Sequence, residues 1–252
     1  MRDLARLLLE TRRAANPGTV LDDAALAGVA MPTSPAEAYA VQAAVAAETG
    51  PVGGWKVGRP APDADATFAP IFTADIVANP YHPPSLPCSD LGLECEIAFE
   101  LATDLPGRAE AYTRAEVEAA IATARPVVEL VWSRLEARDR APPLLKLADN
   151  GINGGLVLGA PIADWRSRGF DDLDITLVAG DRTIKTRRGP NPGGDPVDLL
   201  RALADLCKDH CGGLRRGQIV TTGSYTGLDF VGAPERIEAV FAGIETLRIE
   251  IG

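Results

Sequence analysis

The chain is short of positive charge, of histidine and cysteine, and of long apolar runs, and each shortage argues against a class of function. Lys and Arg number 25 against 35 Asp and Glu, a formal net charge of −10. Binding to nucleic-acid phosphates needs a basic surface, so no nucleic-acid partner is expected. No segment approaches the roughly 18 apolar residues of a membrane span. The triplet Leu7-Leu8-Leu9 is flanked too closely by charges to serve as an export signal. The cysteines, Cys88, Cys95, Cys207 and Cys211, are too few for a disulfide scaffold in 252 residues. A reducing cytoplasm with no membrane contact is the expected setting. What remains is ordinary: 46% apolar and 24% charged residues describe a soluble globule, long enough to bury a core without staples.

The first 50 residues read as helical. Asp3–Ala15 forms a short Leu/Arg/Ala helix, and residues 16–32 a linker with a short helical stretch of its own. Ser34-Pro35-Ala36-Glu37 then stacks three helix-start signals: an N-cap serine, a proline at the first helical position and a glutamate placed to close a capping box. Gly50-Pro51 ends that helix. Beyond it, glycine, proline and short alternating runs predict a strand-rich domain. Strands are expected at Glu94–Leu101, Val127–Trp132, Gly155–Leu158, Leu173–Val178, Gln218–Thr222 and Thr246–Ile251. Helices are expected at Thr113–Ala124, opened by a Thr113/Glu116 capping box, and at Asp195–Cys211, stopped by Gly212-Gly213.

Glu94-Cys95-Glu96 carries the most chemical information. Residues two apart on a strand project from one face, so both carboxylates point the same way. Such a pair raises a pKa, stays solvated or binds a cation. Oxygen-only ligands suit a hard ion such as Mg2+, Mn2+ or Ca2+ rather than zinc. The third carboxylate that a metal needs is best supplied by Glu129, a lone charge in the apolar run Pro126–Trp132. The alternative for a bare E-x-E is an ordinary solvated face. Lys56 stands among glycines and apolar neighbours in Gly53-Gly54-Trp55-Lys56-Val57-Gly58, where it can act as acid, base or carboxylate anchor. Lys146–Gly155 and Thr221–Gly227 are polar, glycine-rich stretches beside strands. Either can set hydroxyls and backbone N–H groups around a small anion, or be an ordinary turn.

These segments, in this order and at this spacing, resemble the 2-keto-4-pentenoate hydratase family within the fumarylacetoacetate hydrolase superfamily. The resemblance spans nearly the whole chain. It runs through Glu37–Gln42, Gly54–Gly58, Glu94–Phe99, Glu129-Leu130, Ala148–Asn150, Gly155–Gly159 and Thr222–Ser224. It implies an α+β fold, a mixed β roll around a central site. Residues 1–50 would be an N-terminal helical extension and residues 51–252 the catalytic domain. It further implies Mg2+ or Mn2+ on Glu94, Glu96 and Glu129, proton transfer by Lys56 and Asp75, and substrate contacts from Asn153, Thr222 and Ser224. The substrate would be a small 2-oxo or 2-hydroxydienoate carboxylic acid, hydrated in aromatic catabolism, and the assembly a homo-oligomer.

Ala74 stands where hydratases carry the first of two adjacent aspartates, and Ile152-Asn153 where they often carry serines. These departures keep open a 4-oxalocrotonate-type decarboxylase and a non-catalytic metal- and 2-oxoacid-binding protein. A C–C bond hydrolase of the superfamily would use a His–Glu dyad, and neither His82 nor His210 stands in one.

Several residues are assigned to packing or solvent. Leu200, Ala204, Cys207 and Cys211 follow one helix face, so the two cysteines are read as core and not as a zinc site. Cys95 points away from the glutamates. The pairs Arg187-Arg188 and Arg215-Arg216 are solvated turns or carboxylate anchors, and Gly189–Gly194 is a loop that can serve as a lid.

Overall fold

The computed structural model describes residues 1–14, 19–83, 90–232 and 236–251. Cys88 lies outside the described residues. In chain order the elements are α1 (Arg2–Arg13), α2 (Pro35–Thr49), β1 (Val52–Gly58), β2 (Thr67–Phe72), β3 (Ile76–Ala78), β4 (Asp90–Leu101), α3 (Arg114–Ala119), β5 (Ile121–Val131) and α4 (Pro143–Ala148). There follow β6 (Asn153–Leu158), α5 (Trp165–Arg168), β7 (Leu173–Ala179), β8 (Arg182–Gly189), α6 (Pro196–Cys207), β9 (Ile219–Ser224), β10 (Asp229–Gly232), β11 (Arg236–Phe241) and β12 (Glu245–Glu250).

Local chemistry sets the helix starts. The Ser34 hydroxyl accepts from the Glu37 N–H, and Pro35 opens α2. The Glu37 carboxylate reaches one residue further back than a capping box requires, to the N–H and hydroxyl of Thr33. The box at Thr113/Glu116 is complete. Its helix, however, stops at Ala119, not at Ala124. Residues 121–124 pair instead with Leu101, Glu100 and Phe99 of β4, and Pro126 disfavours helical geometry at Arg125. The Asp195 side chain caps Val197 and Pro196 starts α6, which ends at Cys207 and does not run to Cys211. Lys208 (φ 46°) and Cys211 (φ 47°) turn left-handed there, as the chain brings the His210 ring against Tyr39 and Phe68. Cys207 is buried in the core as expected, but Cys211 has left that helix face.

The strands form two sheets. The larger is mixed and eight-stranded, in the order β2-β1-β9-β4-β5-β6-β3, with β10 also on β4. Its pairs are antiparallel except β1 with β9 and β3 with β6. The smaller is a four-stranded antiparallel sheet, β12-β11-β7-β8. One face of β4 (Cys95, Ile97, Phe99, Leu101) lies in the main hydrophobic core, which includes residues of both sheets and of α6. α1 and α2 pack Leu4, Leu8, Val41 and Val45 with Leu145 and Leu147 of α4 in a separate cluster. The other face of β4, with its glutamates, is thereby left to the site.

Candidate active site

The pairing of β4 with β5 places Glu94 directly opposite Glu129, and strand alternation brings Glu96 onto the same face. One carboxylate oxygen from each of the three lies within 4.8 Å of the others. Glu96 and Glu129 are almost wholly buried, at 2% and 1% exposure. Lys56 of β1 donates to Glu129 Oε1 at 2.5 Å and to the Gly151 carbonyl at 3.2 Å. Asn153 Nδ2 donates to the same Glu129 oxygen at 2.9 Å. Glu129 Oε2 is buried and has no partner among the described residues. Glu96 Oε2 accepts from the Thr221 hydroxyl and, at 2.9 Å, from the Gly223 N–H.

Burial, followed by the Glu129 charge, pushes Glu94 up to about 7. Burial and both neighbouring carboxylates hold Glu96 well above the usual range. For Lys56, burial favours the neutral amine, but Glu129 and then the other two glutamates outweigh it and keep the ammonium charged. The lysine is therefore raised and not lowered. With all three carboxylates ionised, one ammonium leaves two negative charges unbalanced in a desolvated space. A hard divalent cation meets this donor set: all-oxygen ligands, compact spacing and a buried oxygen without a hydrogen bond.

Two strand irregularities shape the surroundings. Between β4 and β9 the register runs from Glu96↔Ser224 to Ala98↔Thr221, so β9 carries one extra residue, at a bulge that includes left-handed Gly223 (φ 84°). The bulge aims Thr221 and the Gly223 N–H at Glu96. Thr222 does not line the site: its hydroxyl turns to the Ile97 carbonyl at 2.7 Å. Ser224 does line it. The second irregularity precedes β6, where Asn150, Gly151 and Ile152 are all left-handed, with φ of 53°, 58° and 56°. This conformation is costly for a β-branched residue. It presents the Gly151 carbonyl to Lys56, and a buried ion pair pins it: Arg134 binds the Asp149 side chain, the Asp149 carbonyl at 2.7 Å and the Asn153 carbonyl at 2.8 Å.

The carboxylates open into a cavity of about 340 Å3, also lined by Lys56, Arg59, Asn191 and Ser224. Sequence reasoning missed Arg59, although it follows Lys56 on the same segment, past Gly58. It is tied to the Gly193 carbonyl at 2.7 Å. Asn191 donates to the carbonyls of Thr222 and Gly223, each at 2.8 Å, so the Gly189–Gly194 loop is anchored over the cavity. Asp75 is not brought to the carboxylates. It pairs with Arg12 of α1 at 3.0 Å and does not line this cavity. The basic pairs bind surface acids, Arg188 to Asp172 and Arg215 to Asp104. Among the described residues the three glutamates are the one cluster with metal-ligand geometry; no cysteine joins one.

Three acidic side chains converging from adjacent strands of a mixed sheet define a candidate metal centre in an α+β fold. The chain belongs to the fumarylacetoacetate (FAA) hydrolase C-terminal family, whose profile matches residues 37–251. It is 32% identical over 158 residues to 2-keto-4-pentenoate hydratase 2 of Dechloromonas aromatica (strain RCB), covering 60% of this chain. The match spans 57% of that relative's length. Among solved structures it is similar to 4-oxalocrotonate decarboxylase from Pseudomonas putida G7, complexed with calcium and acetate: TM-score 0.80, 18% identity, 100% of this chain and 98% of that one. It also matches 2-hydroxyhepta-2,4-diene-1,7-dioate isomerase from Mycobacterium marinum, with TM-score 0.57 and 16% identity over 80% of this chain and 76% of that one. At these identities the structural likenesses show the fold. No helix among the described residues is long and apolar enough to cross a membrane.

Proposed function

We propose that the chain is a divalent-metal-dependent hydro-lyase that adds water to a small 2-hydroxy-2,4-dienoate and yields a 4-hydroxy-2-oxo acid. The observation that carries this reading is the convergence of Glu94, Glu96 and Glu129 beside Lys56 in a small polar cavity. The names of the curated relatives support the reaction. Mg2+ or Mn2+ on the three carboxylates would supply Lewis acidity to the substrate's 2-oxygen. Arg59 brings a fixed positive charge for the 1-carboxylate. The Lys56 ammonium holds a proton at Nζ for delivery at the reacting chain, and its contacts to Glu129 and Gly151 fix its position. Ser224 and Asn153 orient the acid and the ligand carboxylate. The chain works as a homo-oligomer in the cytoplasm, in the catabolism of aromatic compounds.

One observation favours a second reading. The expected proton carrier Asp75 is held by Arg12 away from the cavity, and a decarboxylation needs no activated water. A 4-oxalocrotonate-type decarboxylase is therefore the alternative reaction for the same metal site, in line with the whole-chain likeness to such an enzyme. A C–C hydrolase fits less well, because no histidine lines the cavity: His82 sits at the surface beside Glu250, and His210 lies among aromatic rings.

The test is ultraviolet-monitored consumption of 2-hydroxypenta-2,4-dienoate with Mg2+ and with EDTA, the product identified by NMR. Metal-dependent formation of 4-hydroxy-2-oxopentanoate is expected. Silence on the dienoate, with CO2 release from 2-oxo diacids, assigns the decarboxylase reaction. Silence on both, with Mg2+ still bound, leaves a binding protein.

A further inference from the structure

A second, larger hollow lies away from the carboxylates, between α2, α4 and the start of β2. Its volume is about 720 Å3, and it shares no lining residue with the carboxylate cavity. Tyr39 and Phe68 stack in its wall with ring centroids 4.5 Å apart. His210 meets both edge-on, at 5.5 and 5.6 Å. Burial holds that imidazole in its neutral form at pH 7 by lowering its pKa. Leu144, Leu147 and Leu206 complete the apolar lining, and Leu206 is 48% exposed despite its size.

Two charged side chains face the hollow, and they are not equivalent. Lys146 is partly buried; its backbone N–H bonds the Pro142 carbonyl, but its ammonium makes no hydrogen bond or ion pair with any described residue. Asp65 is exposed at the rim, where water screens it. A purely hydrocarbon filling would strip water from this ammonium without compensation. An anion is the group that satisfies it. The volume lies in the range of small-molecule pockets, with the usual mixture of apolar wall and few polar groups. Stacked rings on one side and leucines on the other fit a flat ring.

We propose that this hollow is a second ligand site, for a single-ring aromatic monocarboxylate whose ring lies between Tyr39/Phe68 and the leucines and whose carboxylate pairs with Lys146. The site is independent of the metal-dependent reading above, because none of its residues touches the carboxylates. Its far wall is the left-handed turn at Gly151-Ile152, whose carbonyl holds Lys56 on the other side.

The experiment is calorimetric titration of the full chain, with Mg2+ present, using 4-phenylbutyrate and 4-phenylbutylamine. The acid is expected to bind saturably with one site per chain, and the amine more weakly. Lys146→Gln weakens the acid about tenfold, the usual scale for losing a charge-assisted hydrogen bond. Leu206→Trp, a change at a half-exposed position, narrows the hollow and weakens binding of the acid. Glu96→Gln leaves it unchanged. Absence of saturable binding to the wild type, or equal binding of acid and amine, overturns the proposal. So does binding that survives Lys146→Gln but disappears with Glu96→Gln, which would put the acid in the carboxylate cavity. Lys146→Gln alone decides the matter if Leu206→Trp does not fold.

Discussion

At the scale of single residues, the proposed metal site separates ligands from their supports. Glu96 has one oxygen committed to the Thr221 hydroxyl and the Gly223 N–H, whereas Glu129 Oε2 has no partner among the described residues. Glu96→Gln keeps size and shape but removes a charge that the proposed metal would need. Mg2+ affinity by calorimetry is expected to fall at least tenfold, about 1.4 kcal/mol, with an unchanged circular dichroism spectrum. Unaltered affinity would remove Glu96 from the ligand set. Lys56 is different. Its ammonium touches one ligand, so Lys56→Ala is expected to lower kcat about a hundredfold while Mg2+ affinity changes much less. A proportional loss of metal would reassign Lys56 to holding Glu129 in place. The triad was legible in the sequence because alternation survives along β4, and because a lone charge in an apolar run is too costly to bury without a partner. Thr222 was misplaced because the extra residue at Gly223 breaks that alternation. A bulge of this kind depends on the partner strand and leaves no periodic trace.

At the scale of elements, the turn between α4 and β6 is where local preference yields most to tertiary structure. Three consecutive left-handed residues, one of them Ile152, persist because Arg134 and Asp149 tie both ends of the turn. Both partners are buried, at 4% and 2% side-chain exposure. Removing one partner strands the other: Arg134→Met is expected to cost about 3–5 kcal/mol in urea denaturation. Replacing both, Arg134→Met with Asp149→Leu, recovers part of that stability but not activity, because the Arg134 bonds that hold the two ends of the turn at the Asp149 and Asn153 carbonyls are then lost. Full recovery of turnover in the double variant would show that the pair contributes stability alone. The same competition sets the helix boundaries. The capping signals at Thr113 and Asp195 act within one turn and were readable. The ends at Ala119 and Cys207 were not, because strand pairing with β4 and the packing of His210 decide them. Asp75 belongs here too. Its Arg12 partner is 63 positions away on α1, a contact that no local pattern encodes.

At the scale of the whole molecule, the proposed metal site would couple metal binding to folding through its carboxylates. Glu94 rises from 4.5 to about 7 on folding without metal, so the folded chain holds this proton more tightly than the unfolded one. A raised acid makes stability fall as pH climbs from the unfolded value towards the folded one, and Glu96 adds to this in the same direction. His210 acts oppositely: burial lowers its pKa, so its contribution is lost as pH falls through the unfolded value of 6.5. The absolute melting temperature of the metal-free chain therefore mixes two slopes. The difference between the Mg2+ and EDTA curves isolates the carboxylates, because His210 is common to both. Below the raised pKa values, protons compete with the cation and the difference is small. It is expected to open between about pH 5 and pH 8, reaching about 2.7 kcal/mol when Mg2+ stands at 100 times its dissociation constant. Differential scanning fluorimetry across that range checks it, with Glu96→Gln as the flat control. A gain that is already full at about pH 5 would mean that Mg2+ binds groups with ordinary carboxylate pKa values, and the buried glutamates would lose their assignment as the metal site.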